Sequence, residues 1–155
     1  MIEVKVLNLS DNPDPELKTQ GSAGFDIAAQ ETVHLPIGTS TLVPTGIKVI
    51  IPEGYEGQLR LRSSMYKRGF VMPNAPGTID SDYRGEVKVP VARISPNGYD
   101  TPKIEKGERI AQLIIKKLPS VTLVPVSSEE FEKEETERGG GGFGSTGSGI
   151  GTTGL

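Results

Sequence analysis

Two acids, an aromatic ring and a base stand close together in Gly77-Thr-Ile-Asp-Ser-Asp-Tyr-Arg-Gly-Glu86, between glycines that favour turns. The set offers a carboxylate to move a proton, a guanidinium to meet an anion and a ring to pack against a ligand. Ile79, beside Asp80, is expected to limit the water around that carboxylate, which is one way a protein turns an acid into a useful base. A polar β-turn between two strands uses the same residue types. Segments elsewhere in the chain decide between the two readings.

Arg62-Ser-Ser64 closes an alternating segment, where a guanidinium, two hydroxyls and exposed amides can grip phosphate oxygens. Tyr66 and Arg68 add bulk and charge just after it. Ala23-Gly-Phe-Asp-Ile-Ala-Ala29 sets one acid, Asp26, in an apolar run, and a carboxylate there needs a partner, either an arginine or a metal-linked water. Gly142-Phe-Gly-Ser-Thr-Gly147 has the form G-x-G-x-x-G, yet no strand precedes it closely, no helix pattern follows, and no lysine succeeds the last glycine. Dinucleotide fingerprint and P-loop are both rejected. The same strip offers Phe143 for stacking on a base, with Ser145, Thr146 and glycine amides for phosphates.

The elements that must position these groups read as β. Residues 2–6, 46–51, 58–62, 86–91, 109–115 and 121–124 alternate or run apolar over strand lengths. Turn signals at Pro52-Glu-Gly54, Pro96-Asn-Gly98 and Lys106-Gly107 separate them. Twelve prolines, all at or before Pro125, leave little room for long helices. One short helical turn is expected at residues 63–68, and Ser127-x-x-Glu130 has the form of a capping box. Pro90 is expected at a sheet edge or bulge. The fold class is all-β, in a sandwich or jelly-roll arrangement.

With 155 residues the chain suits one domain and an appendage. Residues 1–128 hold 15 Lys/Arg against 14 Asp/Glu, whereas residues 129–138 carry six acids and two bases. Nine of the last 17 residues are glycine, too few apolar groups to offset backbone entropy. The expected organisation is therefore a β domain over 1–128 and an acidic, glycine-rich arm over 129–155. A net charge of -3 argues against general nucleic-acid binding. With no cysteine and a single histidine, His34, thiolate metal sites, disulfides and multi-histidine centres are excluded, and His34 reads as an outward strand position. No segment reaches membrane-spanning length, so a soluble intracellular protein is expected.

Five segments in order resemble the five motifs of the trimeric deoxyuridine triphosphate nucleotidohydrolases, the dUTPases. They are Ala23-Gly-Phe-Asp-Ile, Arg62-Ser-Ser, Asn74-x-x-Gly-Thr-Ile-Asp-Ser-Asp-Tyr-Arg-Gly-Glu86, Gly107-Glu-Arg-Ile-Ala-Gln-Leu113 and Arg138-Gly-x-x-Gly-Phe-Gly-Ser-Thr-Gly147. The resemblance implies a distorted jelly-roll-like β-barrel with a flexible glycine-rich arm, and a homotrimer whose active sites are shared between subunits. It implies hydrolysis of dUTP to dUMP and pyrophosphate, with Asp80 as the general base for water attacking the α-phosphorus.

It further implies that Tyr83 packs beneath the deoxyribose and that Asn74, with the backbone of Gly77 and Ile79, reads uracil. Arg62, Ser63, Ser64 and Gln112 would hold phosphates. Asp26 would hold a water of the Mg2+ that the triphosphate coordinates. Arg138, Phe143, Gly144, Ser145 and Thr146 would close over the nucleotide as a lid. Two other readings use the same scaffold. A dCTP deaminase would replace the Tyr83 turn and need a glutamate at the base, and a nucleotide sensor would bind without turnover, against which Asp80 speaks.

Overall fold

Every second side chain of Val89-Pro-Val-Ala-Arg93 is buried, and the same two-residue period recurs in Ile47–Ile50 and Gly77–Ile79. The computed structural model describes residues 1–94 and 103–142. Among these lie eleven strands and two short helices: β1 (Lys5–Asn8), β2 (Phe25–Ala28), β3 (Val33–His34), β4 (Ser40–Val43), β5 (Ile47–Ile50), β6 (Tyr55–Leu61), α1 (Ser63–Lys67), β7 (Phe70–Val71), β8 (Gly77–Ile79), β9 (Val89–Arg93), β10 (Lys103–Ile104), β11 (Arg109–Lys117) and α2 (Ser128–Glu132). All pairings are antiparallel, in sheets ordered β2-β11-β6-β8, β4-β9-β7, β1-β5 and β10-β3. The arrangement is all-β and jelly-roll-like, as expected.

The chain divides into two compact units, Met1–Ser120 and Val121–Leu155. In the first, Ile27, Leu35, Val43, Met65, Phe70 and Ile110 are fully enclosed and join strands of different sheets into one core. β2 lies so near β11 that a Cβ on Gly24 would sit 2.8 Å from Ile114 Cγ1 and 2.9 Å from the Leu113 carbonyl oxygen. Glycine at this position lets β2 pack against β11, which sets Asp26 opposite Gln112. His34 is exposed on β3, and Gly54 and Gly107 turn the chain at positive φ where turns were read. The Pro96-Asn-Gly98 signal lies outside the described residues. β7 pairs with β9 only at Ala92 and Arg93, so Pro90 meets a single neighbouring strand, β4.

Three expectations shift. The first strand spans Lys5–Asn8 rather than 2–6, because its partner β5 ends at Ile50, just before Pro52. The 86–91 strand begins at Val89, since Glu86 and Val87 bond instead to the chain around Thr45 and Ile47. Residues 121–124 form no strand: Val121, Leu123 and Val124 are exposed and have no partner, and β propensity without a partner makes no ladder. In the second unit the Ser127–Glu130 capping box forms as read. Hydrogen bonds from the Ser127 backbone and hydroxyl to the Glu130 carboxylate hold its pKa below the ordinary value.

Gly24→Ala is expected to destabilise the protein by about 1–3 kcal/mol, because a backbone oxygen rather than a flexible side chain lies in the way. Urea denaturation measures this, and an unchanged midpoint would show that β2 and β11 have room for a methyl group.

Candidate active site

One carboxylate organises the first group of functional residues. The registers of β2, β11 and β6 set Asp26, Gln112 and Arg60 in one row. The Asp26 side chain is only 4% exposed. Arg62 Nε lies 3.4 Å and Gln112 Nε2 3.3 Å from its Oδ1, while Arg109 Nη1 lies 3.2 Å from its Oδ2. The buried acid thus has arginine partners, one of the two alternatives its setting required. Arg109 was not among the residues singled out from sequence. It reaches Asp26 because the β11–β2 register slips between Arg109 and Ala111, and such an irregularity re-aims a side chain.

Arg62 follows directly on β6, where its N–H bonds to the Ile110 carbonyl at 2.9 Å and its extended backbone starts α1. Ser63 and Ser64 form the first residues of that helix and are exposed, while the enclosed Met65 ties it to the core. Arg68 is held apart from this group. Its guanidinium pairs with Glu108, donates to the Lys103 carbonyl and lies 5.1 Å from the centre of the Phe70 ring. Arg68 therefore braces α1 against the turn before β11 and leaves Arg62 and Arg109 as the cations at Asp26. A cavity of about 580 Å³ opens beside Arg62, Ser63 and Tyr66.

The second group stands at the end of β8. Gly77 and Ile79 face inward and Thr78 outward, so alternation carries Asp80 to the surface. This corrects one expectation: Ile79 turns into the core and does not shield Asp80, which is exposed. Among the described residues Asp80 makes no ion pair. A tight turn follows, with the Tyr83 N–H on the Asp80 carbonyl at 3.1 Å. The Tyr83 hydroxyl donates to the Glu86 carbonyl at 2.9 Å, folding the ring back over Gly85. Asn74, Gly77, Ile79, Asp80, Tyr83 and Glu86 line a groove of about 260 Å³. The Ala75–Pro76 peptide in the preceding turn is cis.

The two groups do not share a groove: the Asp80 groove is lined by none of Arg62, Ser63, Ser64, Gln112 or Asp26. Arg138, in the second unit, is exposed and donates from Nε to the Gly141 carbonyl at 2.7 Å. Phe143, Gly144, Ser145 and Thr146 lie outside the described residues. Among the described residues no three His, Cys, Asp or Glu side chains gather in a way that would hold a metal by themselves. Asp26 fits a different arrangement. It has three contacts, all longer than 3.0 Å, for about four lone-pair positions, which leaves an acceptor for one water of an ion held chiefly by phosphates.

Comparison with known proteins agrees with this geometry. The dUTPase family model matches residues 10–147. The deoxyuridine 5'-triphosphate nucleotidohydrolase of Fusobacterium nucleatum is 46% identical over 149 residues, covering 94% of this chain and 97% of that protein. The enzyme of the same name from Brucella melitensis is 48% identical over 139 residues, covering 86% and 83%. Among solved structures, a Staphylococcus bacteriophage 80alpha dUTPase mutant with dUpNHpp superposes with a TM-score of 0.81 at 29% identity, covering 95% of this chain and 99% of that one. A dUTPase mutant from phage phi11 of S. aureus, described for its coordination of a structural Mg(II) ion, gives 0.72 at 29% identity, covering 84% and 100%. With five motifs in order, a jelly-roll-like β fold, and a family match over most of its length, the chain belongs to the dUTPase family.

Proposed function

We infer that the protein hydrolyses dUTP to dUMP and pyrophosphate, and the observation that carries the mechanism is Asp80, a solvated carboxylate at the rim of the Tyr83 groove. A water held by Asp80 gives up a proton to it while its oxygen bonds to the α-phosphorus. The bond from that phosphorus to the bridging oxygen breaks, and pyrophosphate leaves with the electron pair. An accessible carboxylate within reach of a water is what a general base requires.

The remaining residues hold and exclude. Tyr83 packs against the deoxyribose and leaves no space for a 2′-hydroxyl. Asn74 and the backbone of Gly77 and Ile79 read uracil. Arg62, Ser63, Ser64 and Gln112 take the phosphates, and positioning with charge neutralisation is most of what phosphoryl transfer needs. Asp26 keeps Arg62 and Arg109 converged and is the residue that would meet a water of Mg2+, an ion that adds charge neutralisation when bound with the triphosphate. Arg138, Phe143, Gly144, Ser145 and Thr146 would close over the nucleotide as a lid, in an arm of residues 129–155 that follows a catalytic domain of residues 1–128 in the chain.

That the Asp80 groove and the Arg62 cluster line separate cavities supports a site assembled from more than one copy of the chain. A homotrimer with shared sites is such an assembly, the lid coming from a third subunit. No described helix is long and apolar enough to cross a membrane, and a deoxynucleotide substrate is met in the cytoplasm, where we place the enzyme.

Asp80→Asn is expected to bind dUTP normally and to lose turnover by about 10²- to 10⁴-fold, measured as pyrophosphate release. Near-parental turnover would take the base role from Asp80. Deleting residues 138–155 is expected to leave the oligomer intact by light scattering while activity falls steeply. Full activity in the truncated protein would remove the lid.

A further inference from the structure

Tyr83 is 45% exposed, so packing does not by itself hold its ring in place. What restrains it is one hydrogen bond, to the carbonyl of Glu86, together with the bare α-carbon of Gly85, where a Cβ would run into the phenol and come within 2.9 Å of its Cε2. The ring is thus placed no better than residues 85 and 86 are themselves.

Glu86 supplies that placement. Its Oε1 accepts the N–H groups of Thr45 at 3.0 Å and Gly46 at 2.9 Å, two consecutive amides converging on one oxygen. Gly46 has φ +71°, a left-handed conformation that aims successive N–H groups at a common point and forms an anion-binding nest. Here the anion is the protein's own side chain. The next residue is tied to the same turn: the Thr45 hydroxyl donates to the Val87 carbonyl, and the Val87 N–H donates to the Ile47 carbonyl at 2.8 Å. Thr45 is 1% exposed, so these bonds are sheltered from water. Lys88, 3.8 Å from Glu86 Oε2 and half in solvent, adds little.

We propose that Glu86 is a positioning residue that fixes the Tyr83 ring, and through it the choice of deoxyribose over ribose. The proposal rests on the reading of Tyr83 as the sugar platform of a dUTP hydrolase. The carboxylate acts through its acceptor oxygen rather than its charge. A glutamine oxygen can take both amides, an alanine cannot, and an aspartate is one methylene too short to reach them. Removing the acceptor leaves two sheltered N–H groups unpaired and frees the 85–87 backbone. The platform then shifts, and a displacement on the order of 1 Å in a substrate-positioning group costs about 10²-fold in rate.

The test measures kcat and KM for dUTP and UTP in the parent and in Glu86→Gln, Glu86→Ala, Glu86→Asp and Gly85→Ala, with a urea melt of each. The expected result is that Glu86→Ala and Gly85→Ala lower the dUTP-over-UTP ratio of kcat/KM by about 10- to 100-fold, while Glu86→Gln keeps the parental ratio. A folded Glu86→Ala with parental discrimination overturns the proposal, as does a Glu86→Gln that loses as much as the alanine variant. Should Glu86→Ala fail to fold, the Gln and Asp variants carry the test, and equal discrimination in those two overturns it. A parent with no turnover of dUTP overturns the functional reading itself, and the proposal with it.

Discussion

A single enclosed carboxylate, Asp26, requires two guanidinium groups to converge, and the cluster of Arg62, Arg109 and Gln112 is built around that requirement. A carboxylate with 4% exposure is costly unless countered, and removing partners from such a group costs about 3–5 kcal/mol in buried settings. The chain meets the need with side chains from two different strand ends, Arg62 after β6 and Arg109 at the start of β11. Both guanidinium groups remain partly open to solvent, at 30% and 42%. The acid is satisfied while cationic surface remains for a ligand. Gly24 is part of the same constraint, because only its missing Cβ lets β2 lie close enough to β11.

The Asp80 groove is held by different means. Asp80 is carried outward by strand alternation and followed by a turn closed by the Tyr83 N–H on the Asp80 carbonyl and by Arg84, which donates to the Ser81 and Tyr83 carbonyls. Order enters this turn from its far end, where Glu86 and Val87 are bonded to the 45–47 turn. The region that must admit a nucleotide stays open, and rigidity is supplied one residue beyond it. Functional groups are held in geometry by such supporting bonds rather than by their own packing.

Much of the candidate site was legible in the sequence because its residues lie in contiguous runs. Arg62-Ser-Ser64 and the Gly77–Glu86 stretch carry residue types, turn signals and strand alternation side by side, and α1 and the α2 capping box also depend on neighbours in the chain. What escaped depended on distant partners. Arg109 serves Asp26 through a register slip that no spacing rule reveals, and Glu86 matters through amides about forty residues earlier. Ile79 does not limit the water around Asp80, since adjacency in sequence means opposite faces in a strand. The 121–124 run failed as a strand for the reason strands generally do: a ladder needs a second chain segment, and local propensity does not supply one.

The separation of the two groups has a chemical logic of its own. A triphosphate brings concentrated negative charge, and a carboxylate base placed permanently among the arginines of the phosphate cluster would be paired with them and unable to take a proton from water. With Asp80 read as the base, holding it apart from Arg62 and Arg109 leaves its carboxylate without an ion pair among the described residues, while the cations are braced by Asp26. On the proposal that a neighbouring copy and the nucleotide bring the two surfaces together, the phosphates would meet the cations and the carboxylate would face the α-phosphorus with its lone pairs unspent. Division of the site between surfaces would then keep base and cations apart until substrate lies between them.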